Sequence, residues 1–313
     1  MSTNYQITAM QADDWAEVAE LIRISTNQWY EANGKPPIFT GDPAATRLFC
    51  EVYEALDPGC CLIARHSETG RIGASCFYHP RETHFSLGIM NVHPEHFGQK
   101  LARLLLNEII AKSEAASLPL RLVSSAMNLD SFSLYNKAGF VPTQVFQDML
   151  MPVPEDGLAC TLAPPLCKQV REATTEDLDS IVALEQEISG ISRRKDYEHF
   201  LQNSQGIWKV LVCEAESSDA IDGVLVSVAH PGSRMLGPGV MRNEEVASAL
   251  IFDMLQHHRG ETPVWLVPST APEMTQTLYR WGAKNCELHL AQVRGEVFAV
   301  NGIVMPTFMP ETG

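Results

Sequence analysis

The 313-residue sequence predicts an α/β protein with mixed α+β sheets, built as two tandem copies of one domain. Three observations carry that expectation. First, Leu118 to Phe140 (LPLRLVSSAMNLDSFSLYNKAGF) aligns without a gap onto Thr262 to Lys284 (TPVWLVPSTAPEMTQTLYRWGAK) at an offset of 144. Pro119, Leu122, Val123, Ser125, Leu134 and Tyr135 then fall on Pro263, Leu266, Val267, Ser269, Leu278 and Tyr279. Second, Ile7 to Leu21 matches Val170 to Leu184 at an offset of 163, placing Trp15, Val18 and Leu21 on Leu178, Ile181 and Leu184. Two matches in the same chain order mark an internal repeat. Third, strand-like and helix-like segments alternate in the same succession in each copy.

The first copy opens with a strand over Tyr5 to Met10 and a helix from about Asp13, whose Trp15, Val18, Leu21 and Ile22 keep the 3.6-residue period. Strands are expected at Cys60 to His66, Ile72 to Tyr78 and His84 to Val92, separated by the turn formers Glu68-Thr69-Gly70 and Pro80-Arg81-Glu82. An apolar helix should run from about Gly98 to Glu114. A strand over Leu120 to Ser124 then leads to a short helix from Asp130 to Ala138, stopped by Gly139. Met151 to Pro165 carries four of the 19 prolines and no periodicity, as a linker would. The expected division is residues 1–153, a linker at 154–166, and a second copy over 167–313.

Composition narrows the function. The net charge of −15 leaves no clustered basic face for a phosphate backbone, so nucleic acid and anionic membranes are not expected partners. Apolar runs fall well short of the roughly 18 residues of a spanning helix, and the N-terminus lacks a basic region followed by an apolar one. A cytoplasmic protein is expected. The eight cysteines are scattered without a CxxC pair, which predicts reduced core residues rather than disulfides or a metal site.

The run Val92-His93-Pro94-Glu95-His96-Phe97-Gly98-Gln99-Lys100-Leu101-Ala102-Arg103-Leu104-Leu105, with Asn128 and Leu134-Tyr135-Asn136-Lys137-Ala138-Gly139-Phe140 further on, resembles the two signature segments of the GCN5-related N-acetyltransferase (GNAT) superfamily. In that family a strand ending in Val-x-Pro splays from its neighbour. The following loop, usually Gln/Arg-x-x-Gly-x-Gly/Ala, wraps the pyrophosphate of acetyl-CoA. The physics does not depend on the name: backbone N–H groups at a helix N-terminus point at an anion, and the helix dipole favours it. The resemblance implies acetyl-CoA as co-substrate, no metal, and a cofactor site drawn from Asn91, Val92, Phe97, Gly98, Gln99, Lys100, Leu101, Ala102, Asn128, Leu134 and Tyr135. Two positions depart from the pattern, Phe97 where Gln or Arg is usual and Lys100 where the first glycine stands.

By the same resemblance Tyr135 is the general acid for the departing thiolate, a role suited to a phenol of ordinary pKa about 10. The alternative is a core tyrosine on a short helix, as Tyr279 in the second copy illustrates. Asn128 would bridge the pantetheine or the splayed strand, unless it only caps a helix. Family members often carry a carboxylate on the strand position that is Ser86 here, so His84, on the same strand face, is the candidate base. Glu51, Glu54, Trp29, Tyr30 and Tyr53 are candidates to line the acceptor site.

The second copy is three residues shorter across the loop, and its Met241-Arg242-Asn243-Glu244-Glu245 has no glycine and two carboxylates where a pyrophosphate would sit. It is expected not to bind CoA. The charge divides as 11 basic against 16 acidic residues through Val153, and 12 against 22 beyond it. If the second copy borders the acceptor, that field favours a cationic amine. The sequence thus predicts an N-acetyltransferase acting on a primary amine of a small molecule or peptide, with a homodimer among the assemblies allowed. A non-catalytic acyl-CoA or metabolite sensor on the same fold is the alternative.

Overall fold

The computed structural model describes residues 4–216 and 220–307, which fall into two units. The stretch from Val297 to Gly313, with Met305, Phe308 and Met309 among prolines, reads in the sequence as an extended tail, and Phe308 and Met309 lie outside the described residues. The first unit takes in the described residues through Pro80 together with His84–Leu120. Its elements are β1 (Tyr5–Ala9), α1 (Trp15–Ala32), α2 (Arg47–Leu56), β2 (Cys61–His66), β3 (Ile72–Pro80), β4 (Phe85–Val92) and α3 (Leu101–Ala115). The strands lie in the order β1-β2-β3-β4, each antiparallel to its neighbour. β3 is buried at every position from Ile72 to His79 because α1 and α3 both pack on it, so from Ile72 to Tyr78 its sequence is apolar or small instead of alternating.

A bulge interrupts β4: Cys76 faces Met90, but Tyr78 faces Leu87, so β4 carries one residue more than β3 over that stretch. Gly88 sits within it. A Cβ there would lie 2.9 Å from His79 Nε2 and 3.0 Å from Phe77 Cβ, closer than the core allows. The sequence reads as a plain strand at this point, and only the absence of a side chain lets the backbone approach β3 so closely.

The second unit holds Arg81–Thr83 and Arg121–Thr307. After β5 (Leu120–Ser125), α4 (Leu129–Lys137) and β6 (Val141–Leu150) come β7 (Val170–Glu172), α5 (Leu178–Ser189), α6 (Arg194–Gln202), β8 (Trp208–Glu214), β9 (Ile221–His230) and β10 (Ser233–Met241). α7 (Glu244–Leu255), β11 (Val264–Pro268), α8 (Pro272–Trp281), β12 (Lys284–Arg294) and β13 (Ile303–Met305) complete it. Its strands run in the order β5-β12-β6-β11-β10-β9-β8-β7, with β13 added to β10. β12 therefore stands between β5 and β6, two strands that follow each other in the chain. It pairs with β6 from Lys284↔Leu150 to Val293↔Val141, and β6 pairs on its other side with β11.

That pairing explains why the units do not follow the expected division at 153. The stretch from Arg121 to Leu150 belongs by packing to the second unit, because β6 is hydrogen-bonded along its length to β12 and β11. The proline-rich stretch is likewise bound rather than free. Met151, Val153 and Leu158 are buried in the second unit's core, and Val153 exchanges backbone hydrogen bonds with Gly260 and Glu261.

The repeat-matched stretches take matching elements. β1 and β7 are each followed by a single 3-10 turn, Ala12–Asp14 and Thr175–Asp177, and each turn carries a capping box, Gln11 with Asp14 and Thr174 with Asp177. β5-α4 and β11-α8 occupy the other matched pair. All eight cysteines are free thiols, but the expectation of core placement holds for only some of them. Cys50, Cys61, Cys76 and Cys213 are buried, whereas Cys160 and Cys286 are exposed. Cys160 stands in a 3-10 turn of the proline-rich stretch and Cys286 at a register shift of β12, where alternation does not fix an inward face.

Candidate functional site

In the first unit the candidate cofactor residues lie on the end of β4 and the turn into α3. Val92 closes β4, and His93 N–H donates to the Gly73 carbonyl at 2.9 Å, keeping the chain beside β3 for one more residue. A 3-10 turn over Pro94–His96 follows, capped by His93, whose Nδ1 accepts from Glu95 N–H at 3.3 Å. Tyr5 on β1 hydrogen-bonds His96 Nδ1 at 2.7 Å and holds the turn to the sheet. Burial, then the nearby His93 and His66, lower the pKa of His96.

The chain then turns twice through left-handed backbone, at Gly98 (φ +79) and Lys100 (φ +62), before α3 begins at Leu101. The helix thus starts three residues later than the expected Gly98, because two left-handed residues cannot lie inside a right-handed helix. Lys100 adopts the backbone for which the family pattern keeps glycine, and it is the helix N-cap without a side-chain cap bond. Phe97 is 59% exposed, and Gly98, Gln99 and Lys100 are exposed. Leu101 is buried, so only its amide can face a ligand. The first helical hydrogen bond runs from Leu104 N–H to the Lys100 carbonyl, leaving the amides of the first turn ahead of the ladder. That turn has no acidic residue. The arrangement offers an exposed, positively polarised end to an anion.

The other candidates have more specific placements. Asn91 is buried with its Nδ2 donating to Ser25 Oγ on α1 at 2.6 Å, so its side chain serves the core. His84 precedes β4 and is fully buried. Ser86 is buried opposite His79, and His79 Nδ1 meets Asp57 Oδ2 at 2.7 Å in the core. That His–Asp contact has no sequence signal, since Asp57 lies in an ordinary Asp-Pro-Gly turn and His79 reads as a strand residue. In the second unit Asn128 caps α4, its Oδ1 accepting from Ser131 N–H at 3.0 Å. Leu134 is half-buried on α4. Tyr135 is buried on the same helix, its ring 5.7 Å from that of Phe140. Its repeat partner Tyr279 is exposed and donates to Gln147 Oε1 at 3.0 Å, so the two tyrosines occupy different surroundings.

The start of α7 is built unlike that of α3. Asn243 Oδ1 accepts the Val246 amide at 2.9 Å, and Glu244 Oε2 accepts the Met274 amide at 2.7 Å. Carboxylates of the chain itself therefore lie at this end. Alongside it, β13 pairs with β10 from Gly239↔Met305 to Met241↔Ile303, covering the end of β10. Among the described residues no group of three or more metal-ligating side chains is found, and no helix is long and apolar enough to cross a membrane.

Comparison with known proteins gives the family of the first half. No curated protein matches the sequence. In fold, the chain resembles an acetyltransferase candidate from Pyrococcus horikoshii at TM-score 0.74 and 13% identity, covering 99% of this chain and 96% of that one. It also resembles a GCN5-related N-acetyltransferase from Sphaerobacter thermophilus at TM-score 0.65 and 17% identity, covering 96% and 99%. Saccharomyces cerevisiae N-myristoyltransferase with bound myristoyl-CoA follows at TM-score 0.59 and 12% identity, covering 94% and 80%. At such identities the likeness is one of fold. The model of the acetyltransferase (GNAT) family matches residues 20–140, the stretch that contains β4, the left-handed turn and α3. Residues 20–140 thus belong to the acetyltransferase (GNAT) family.

Proposed function

We propose that the chain is an acetyl-CoA-dependent N-acetyltransferase in which only the first copy binds the cofactor. The observation that carries this reading is the contrast between two helix starts. α3 opens with exposed left-handed residues and no carboxylate, whereas α7 opens with Glu244 and Glu245 and is capped by its own side chains. A pyrophosphate is attracted to the first and repelled by the second. Acetyl-CoA would then lie along Asn91 and Val92, with its pyrophosphate against the amides that follow Gly98.

In the ternary complex the lone pair of a primary amine attacks the thioester carbonyl. The tetrahedral intermediate collapses with cleavage of the carbon–sulfur bond, and Tyr135 gives its proton to the leaving thiolate. The proton that the amine loses passes to water, because His84, the sequence candidate for the base, is fully buried. The acceptor is a small molecule or peptide, and the acidic balance of the chain favours a cationic one. A second reading, an acyl-CoA sensor without turnover, is favoured by Ser86, which puts no carboxylate on the strand where the family often has its base.

Thiol release from acetyl-CoA across a panel of amines separates the two readings. Tyr135→Phe should lower turnover by 10²-fold or more while leaving acetyl-CoA affinity within about twofold, the usual reach of general acid catalysis being about 10²–10⁴. Unchanged turnover in that variant removes the acid assignment, and tight CoA binding with no turnover for any amine selects the sensor.

A further inference from the structure

Tyr5 opens β1, the strand at the end of the first unit's order, and stands opposite His66 of β2. Its ring is the centre of an aromatic cluster. The His66 ring lies 5.1 Å from it and the His96 ring 5.7 Å, both edge-on at 88°, and the His93 ring lies 5.6 Å from that of His96. Tyr5, His96 and Leu101 converge on Gly73, the second residue of β3. A Cβ there would lie 2.9 Å from Tyr5 Cε1, 3.0 Å from Leu101 Cδ1 and 3.3 Å from His96 Cγ, closer than a side chain allows. The missing side chain lets β1, the turn after β4 and the first residue of α3 close on one point of the sheet.

The turn between β4 and α3 is shaped from within. The amides of His96, Phe97 and Gln99 donate to the carbonyls of His93, Pro94 and His96 at 2.8, 3.2 and 3.4 Å. Each of these bonds begins and ends inside the turn, so they set its curvature and not its place on the sheet. The 2.7 Å bond between the Tyr5 hydroxyl and His96 Nδ1 joins residues 91 positions apart and ties the turn to β1. Both side chains are half-buried, whereas Phe97, Gly98, Gln99 and Lys100 just beyond are exposed and have little packing of their own. A loop already held in its binding geometry binds more tightly than one that must be ordered on binding.

We propose that Tyr5 is a positioning residue for the anion-binding end of α3: through His96 it fixes the turn over Pro94–His96 on the sheet, so that Gly98, Lys100 and the amides behind them are in place before the cofactor arrives. This rests on the reading of that end as the acetyl-CoA site. Tyr5 itself touches no cofactor. Its effect passes through one hydrogen bond, and the shape of the exposed loop depends on where His96 is held.

The test is calorimetric titration of acetyl-CoA into the full chain and into Tyr5→Phe, which removes the hydroxyl and keeps both edge-on ring contacts. Kd should rise about 3- to 10-fold, the reach of one hydrogen bond, with Tm within about 3 °C of the parent. With an amine that supports turnover, KM for acetyl-CoA should rise by the same factor while kcat stays within about twofold. His96→Leu removes the partner of the hydroxyl, so adding Tyr5→Phe to it should change Kd by less than about twofold, and losses that multiply would overturn the link through His96. Hydrogen exchange without cofactor is the separate readout: amides at 97–101 should exchange faster in Tyr5→Phe while those of β2 and β3 keep their rates. If the parent chain binds no acetyl-CoA, the cofactor reading fails, and the exchange rates still decide whether Tyr5 holds the turn. An unchanged Kd in Tyr5→Phe, or unchanged exchange at 97–101, would overturn the proposal.

Discussion

Lys100 is where the family pattern and this chain part, and the structure shows what that substitution keeps. Its φ of +62 preserves the left-handed turn while adding a cation at the end of α3. The left-handed backbone costs an L-residue about 1–2 kcal/mol, and glycine instead loses about 0.5–1 kcal/mol of unfolded-chain freedom. Lys100→Gly should therefore leave Tm within about 3 °C of the parent in thermal unfolding, while weakening acetyl-CoA if the ammonium reaches the pyrophosphate. Histidines give a second expectation at this scale. His199, His257 and His258 all have pKa values lowered, in each case chiefly by burial. The unfolded chain binds protons at these sites more readily, so their contribution is fully present above the unfolded value of about 6.5 and is lost as pH falls below it. Tm should fall between pH 7 and pH 5 with net proton uptake on unfolding, and a Tm that rises over that range would contradict it. The role of single residues was legible only in part. A helix was legible close after Gly98, though it begins at Leu101, but Asn91 gave no sign that Ser25 would hold it in the core, since the two are 66 positions apart.

Elements were legible where the cause is local. The 3.6 period of Trp15, Val18 and Leu21 marks α1, and Asp177 after Thr174 is a capping box that the repeat places over Gln11 and Asp14. Asp177 accepts from Thr174 N–H at 2.7 Å and from Arg171 Nη1 and Nη2, each at 2.8 Å, and its pKa is lowered, first by the bond from Arg171. Asp177→Ala should cost about 1–2 kcal/mol in denaturant unfolding, by loss of the cap and release of Arg171. A cost below about 0.3 kcal/mol would show that the turn holds without it. What could not be read was pairing. β6 and β12 look alike as alternating strands, and nothing near Val145 or Leu290 says that they face each other. Strand order is a property of the whole fold and not of a window of sequence. The bond between Tyr5 and His96 was hidden for the same reason: the two are 91 positions apart, and periodicity does not describe the turn that brings His96 back to the sheet.

At the scale of the whole molecule, the inequality of the two copies is the main functional statement. The expected repeat has matching turns and matching β-α segments, yet the helix that follows β10 is closed by Asn243 and Glu244, and β13 covers the end of β10. Charge runs the same way, since residues beyond Val153 carry 22 acidic against 12 basic groups. The absent glycine and paired glutamates of the second copy were visible in the sequence. The covering strand was not, because Ile303–Met305 is three residues long and has no pattern of its own. The most direct measurement is a calorimetric titration of the full chain with acetyl-CoA. One molecule bound per chain is the result this account predicts, and either no binding or two equivalents would contradict it.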